Sequence, residues 1–171
     1  MINFSRNKGF TLIEMIVYVA ILSIVFVLII NTLLIITRSY KSIKLTNDIN
    51  NSASISLERI IREVRAAESV NTSSSILGSN PGKLVLNTTD NLGAPLVLDF
   101  YVENNSLKLN KNAVLSGVLT KDNVEVTGLI FRHITSSSSQ AVKIELTLTG
   151  TERNTTKIDS FYSTAVLRGS Y

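Results

Sequence analysis

Apolar residues crowd into the first forty positions of the chain, and beyond them they recur in two different rhythms. From Met15 to Ile36 no charge interrupts 22 positions. As α-helix that run spans about 33 Å, enough to cross a bilayer. Downstream, Ile49, Ala53, Leu57, Ile60, Ile61, Val64 and Ala67 return at steps of three and four. They fall within an arc of roughly 120°, the signature of a helix with one apolar face. No Pro or Gly occurs between Phe10 and about Ser69, so the pattern predicts one helix serving two solvents. Glu58 with Arg62, and Arg59 with Glu63, stand at i,i+4 on the remaining surface. Arg59, Arg62 and Arg65 read as a solvated face, and Ile55 lies off the arc.

From about Asn71 the period changes to two. Thr72 to Ser75 and Gly78 to Gly82 are rich in loop formers. Leu96, Leu98, Phe100 and Val102 then alternate with Val97, Asp99 and Tyr101, which suits a strand buried mainly on one face. Asn104-Asn105 forms the predicted turn into Leu107-Lys108-Leu109, because Asn tolerates positive φ in tight hairpins. Val142, Ile144, Leu146 and Leu148 alternate with Lys143, Glu145, Thr147 and Thr149, the clearest strand of the chain. Val124–Ile134 and Phe161–Arg168 are further strands, and Ser136 to Ser139 reads as a loop. A half-apolar helix and a half-apolar sheet each need a cover and can cover each other. The predicted class is α+β: a long N-terminal helix, membrane half plus amphipathic half, packed on a C-terminal antiparallel β-sheet.

Composition narrows the chemistry. The chain has 171 residues and no Cys, which excludes disulfides and thiolate metal sites. Its formal charge of +4 is small and dispersed. From Asn71 to Tyr171 there are nine Lys/Arg against eight Asp/Glu, so no basic cluster for nucleic acid is evident. A nucleic-acid partner is conceivable but unsupported. His133 is the only histidine, in a predicted strand, and reads as structural. Gly78 to Lys83 lacks the spacing of a phosphate loop. Asn71-Thr72-Ser73 and Asn154-Thr155-Thr156 fit the glycosylation triplet but carry little weight in a chain this rich in Asn, Ser and Thr. No catalysis, cofactor or metal is expected.

The junction Lys8-Gly9-Phe10-Thr11-Leu12-Ile13-Glu14 carries the family signal. A short basic leader with Arg6 and Lys8 ends in Gly9 and is followed at once by Phe-Thr-Leu-Ile-Glu and the apolar helix. In this the chain resembles type IV prepilins and type II secretion pseudopilins. The resemblance implies a pilin-like fold and cleavage by a prepilin peptidase between Gly9 and Phe10. It also implies N-methylation of Phe10, with Lys8, Gly9, Thr11 and Leu12 recognised at the leader. Glu14 is the residue for which physics and resemblance agree. A carboxylate inside an apolar run costs about 2.5–3.5 kcal/mol on insertion scales, which marks Glu14 as a candidate functional residue. In the family the corresponding Glu is thought to pair with the free amine of a neighbouring subunit's first residue, fixing axial stagger. The segment Leu57–Glu68, the Phe131 strand and Thr164–Arg168 are similar, more loosely, to minor pseudopilins of the J type and to competence pseudopilins. Lack of a membrane-half Pro and of Cys also fits a minor subunit better than a major pilin.

The expected organisation is a leader at 1–9, a transmembrane and assembly helix at 10–36, its amphipathic continuation at 37–70, and a β-rich pilin-like domain at 71–171. No small-residue cleavage site follows the apolar run, so the anchor should be retained. Basic residues flank the span on both sides, Arg6 and Lys8 before it and Arg38, Lys41 and Lys44 after it. Charge therefore does not orient the span. The resemblance places the leader in the cytoplasm and the β-rich domain outside it, on the bacterial inner membrane. It further implies as partners the peptidase, other pilins or pseudopilins, an inner-membrane assembly platform and the lipid bilayer. The leading function is a structural subunit, most simply a minor one, of a type IV pilus or type II secretion-like pseudopilus. A DNA-uptake pseudopilin or an adhesive module on the same scaffold is the alternative.

Overall fold

A computed structural model describes residues 9–90, 92–136, 139–153 and 155–168. Met1 to Lys8 of the expected leader, Asn154, and Ser137 and Ser138 of the expected loop lie outside the described residues. Helix α1 (Leu12–Ala66) is followed by eight strands: β1 (Ser69–Val70), β2 (Leu84–Thr89), β3 (Pro95–Glu103), β4 (Ser106–Lys111), β5 (Val114–Val118), β6 (Val124–Thr135), β7 (Gln140–Glu152) and β8 (Thr155–Val166). The chain divides into two compact units, residues 1–41 and 42–171. This is the expected α+β, pilin-like layout of one long helix and antiparallel strands.

In the N-terminal unit the helix is apolar on every side, and Met15 to Ile36 are all exposed. Three hydroxyls in or just beyond this run are satisfied within the helix. Ser23 Oγ donates to the Val19 carbonyl (2.8 Å) and Thr32 Oγ1 to that of Leu28 (2.9 Å). Thr37 Oγ1 donates to the Leu33 carbonyl (2.8 Å). Such back-bonding leaves those hydroxyls no need of water, as a hydrocarbon environment requires. The helix is long and apolar enough to cross a membrane.

In the C-terminal unit, α1 buries Leu45, Ile49, Ala53, Ile60 and Val64 against the sheets, with Ala67 just beyond its end. Leu57 and Ile61, expected inside the arc, lie half-buried at its margin. The buried stripe is instead completed by Asp48, Ser52 and Ser56, three polar residues at i, i+4 and i+8. They fasten the connection between β5 and β6 to the helix. Lys121 Nζ pairs with Asp48 Oδ1, and Asn123 Nδ2 donates to Asp48 Oδ2 at 2.9 Å. The Lys121 amide donates to Ser52 Oγ (3.3 Å), and Ser56 Oγ donates to the Leu119 carbonyl (3.4 Å). Each contact satisfies a polar group that burial would otherwise leave unpaired.

The expected single sheet is two antiparallel sheets: five strands in the order β1-β2-β3-β4-β5, and three in the order β6-β7-β8. The two-residue turn between β3 and β4 is made by Asn104 and Asn105 at φ 52° and 57°, with Glu103 opposite Ser106. β7 alternates as predicted, with Val142, Ile144, Leu146 and Leu148 fully buried beside half-buried Lys143, Glu145, Thr147 and Thr149. One core joins α1 to both sheets, with Leu84, Leu86, Leu98, Phe100, Leu129 and Phe131 among its members. The sheets are also tied through backbone: the Val126 amide donates to the Asn105 carbonyl at 2.7 Å. Of the two expected i,i+4 pairs on α1, Arg59–Glu63 closes at 2.8 Å, whereas Glu58 and Arg62 form no ion pair among the described residues.

Candidate functional site

The start of α1 is set by Thr11. Its side-chain oxygen accepts the Glu14 amide at 3.3 Å, and its carbonyl accepts the Met15 amide at 3.2 Å. Thr-x-x-Glu immediately before an apolar run is the sequence form of a capping box, so the same residues that fit the leader junction also begin the helix. Glu14 stands in the first turn, where the positive end of the helix dipole favours a carboxylate. Its Oε1 accepts a hydrogen bond from Tyr18 Oη at 3.3 Å, one turn on. The Tyr18 ring in turn meets Phe10 edge-on, with centroids 6.1 Å apart and planes at 73°. Phe10, Glu14 and Tyr18 therefore form one small cluster, and Glu14 is half-buried while its neighbours are exposed.

Of the residues singled out in the sequence, Phe10, Thr11, Leu12 and Glu14 stand together at this helix start, and Lys8 lies outside the described residues. Gly9 is exposed, and a Cβ placed on it would meet nothing within 4 Å. Among the described residues no packing contact demands Gly at this position. Tyr18 was not singled out from the sequence. Its signal is the i,i+4 spacing from Glu14, masked because an aromatic in an apolar run reads as more membrane surface.

Away from this end, His133 Nε2 lies 3.3 Å from Gln140 Oε1 on the neighbouring strand, an ordinary cross-strand contact. Among the described residues no group of three His, Cys, Asp or Glu side chains could hold a metal ion.

Residues 4–30 match the prokaryotic N-terminal methylation motif. No curated protein and no solved structure matches the chain. The matched segment contains the leader junction, the capping residues and most of the apolar run. It is a prepilin-type motif, and it supports a type IV pilin-like or pseudopilin-like precursor that a prepilin peptidase processes and that assembles with other pilins.

Proposed function

We propose that this chain is a structural subunit, minor rather than major, of a type IV pilus or type II secretion-like pseudopilus. A prepilin peptidase cleaves it between Gly9 and Phe10 and methylates the new Phe10 amine. Lys8, Gly9, Thr11 and Leu12 present the junction to that enzyme, and the apolar half of α1 holds the subunit in the lipid of the inner membrane until an assembly platform extracts it. The β-rich unit then lies outside the cytoplasm. The observation that carries this reading is the N-terminal methylation motif running directly into an uncharged helical span of membrane length. A structural role, not an enzymatic one, is what such a motif suggests.

Glu14 has the central part in assembly. In an isolated subunit its carboxylate stands at the edge of an apolar helix with only the Tyr18 hydroxyl as a side-chain partner among the described residues. Burying that charge alone is costly, whereas burying it beside a neighbour's positive amine recovers part of the cost and defines a register. The test is recovery of mature subunit in sheared filament fractions, relative to its level in the membrane. Glu14→Ala should leave membrane insertion and Gly9 cleavage intact while depleting the filament fraction. Normal incorporation of the Ala variant would remove the pairing role.

A further inference from the structure

The flank of α1 beside its core-facing stripe carries an arginine groove whose guanidiniums neither the core nor the processing site uses. It is an open groove of about 760 Å³ lined by Glu58, Ile61, Arg62, Arg65 and Ala66 of α1 together with Arg168, which follows β8. Arg62 and Arg65 are one turn apart in sequence, and Arg168 comes to the same groove from the far end of the chain. Among the described residues Arg62, Arg65 and Arg168 form no ion pair, while the adjoining Arg59 is neutralised by Glu63 at 2.8 Å. Among the described residues that line it, three exposed guanidiniums against one carboxylate, Glu58, give a local charge of about +2.

We propose that this groove docks an acidic segment of a neighbouring pilin-like subunit through Arg62, Arg65 and Arg168, an inference that rests on the assembly function given above. Guanidinium forks match carboxylates in geometry and grip them in pairs of hydrogen bonds. Ile61 and Ala66 add an apolar wall along which the stems of long side chains can pack. A nucleic-acid backbone fits less well. It needs a continuous basic track, and Glu58 interrupts this one while the region beyond Asn71 is close to neutral. Exposed carboxylates of the kind the groove would grip occur on a subunit of the same type. Glu68 and Asp122 are exposed and form no ion pair among the described residues. A groove on one copy that grips a carboxylate outside the groove on the next, as Asp122 in the connection between β5 and β6 offers, makes a head-to-tail contact, the kind that propagates a filament and does not close a dimer.

The test uses filaments from the native host carrying Arg65→Lys, treated with a carbodiimide that joins a lysine amine to a carboxylate in contact with it. Peptide mass spectrometry should find position 65 joined to an Asp or Glu of another subunit. Arg62→Gln combined with Arg65→Gln should lower the subunit's share of the filament fraction at least about fivefold, without lowering its membrane level. The amino terminus is read in the same samples, which separates the two claims. Processed chains in filaments with no adduct at position 65, or with an adduct only to their own Glu58, overturn the docking site and leave the assembly function standing. Chains that still begin at Met1 overturn both. Unchanged incorporation of the double Gln variant, with arginine-dependent binding of a short single-stranded oligonucleotide, overturns the protein partner in favour of nucleic acid.

Discussion

Gly150 on β7 lies directly beneath Ile49 of α1: a Cβ on Gly150 would stand 2.9 Å from both Cγ1 and Cδ1 of Ile49, and 2.7 Å from Cδ1 of Leu45. Both helix residues are essentially fully buried, so a Cβ at Gly150 would have to displace side chains of the core. The helix thus approaches the sheet closely where it enters the C-terminal unit, and the missing side chain permits that approach.

Gly150→Ala should therefore destabilise the unit by about 1–2 kcal/mol. Overpacking costs about 1–3 kcal/mol, and the lower entropy of the unfolded Ala chain offsets part of it. Thermal unfolding of a chain beginning at Ser42 measures this, and Gly150→Val should be worse. A melting temperature unchanged in both variants would mean that α1 does not seat on β7 at this point.

The helix face can be tested from the other side. Ile60 is fully buried, so Ile60→Ala should cost about 2–5 kcal/mol. Ile55 is 54% exposed, and Ile55→Ala should stay within about 0.5 kcal/mol. Comparable losses at the two positions would contradict the observed orientation of the helix.

That orientation was only partly legible in the sequence. Ile49, Ala53, Ile60, Val64 and Ala67 were found because apolar residues announce themselves by period. Asp48, Ser52 and Ser56 were not, because their burial depends on Lys121, Asn123 and the backbone at Leu119, more than sixty positions away. Counting only apolar positions pulled the arc towards Leu57 and Ile61. The strands read best where one face is buried and the other wet, as in β7, and where turn chemistry is local, as at Asn104-Asn105. β2 was missed because Leu84, Val85 and Leu86 are buried in succession and do not alternate. β5 was missed because its residues are largely exposed. The split into two sheets follows from strand pairings that no local pattern records. At the amino terminus the junction from Lys8 to Glu14 could be read whole, since its features are contiguous. The arginine groove could not, because Arg168 joins Arg62 and Arg65 only in the folded chain.

Acid should weaken the C-terminal unit through two carboxylates. The Lys121 ammonium, and after it the Asn123 amide, hold the Asp48 carboxyl below its ordinary value. Arg132 and then Lys143 bring Glu145 down to about 2. Both groups bind protons less readily folded than unfolded. Their stabilisation is therefore complete above the ordinary carboxylate range and is lost as pH falls from about 4 towards about 2. The melting temperature should drop across that window, and Asp48→Asn or Glu145→Gln should each flatten the drop. A slope as steep in both variants as in the parent chain would assign the acid sensitivity to other groups.

The account depends most on what happens at Gly9. Mass spectrometry of the protein from its native host should find a chain that starts at Phe10 with a methylated amine. Gly9→Val should leave the leader attached, since among the described residues no contact opposes the larger side chain and the peptidase selects a small residue there. A native protein that still begins at Met1, or a Gly9→Val variant cut as efficiently as the parent, would contradict the assignment.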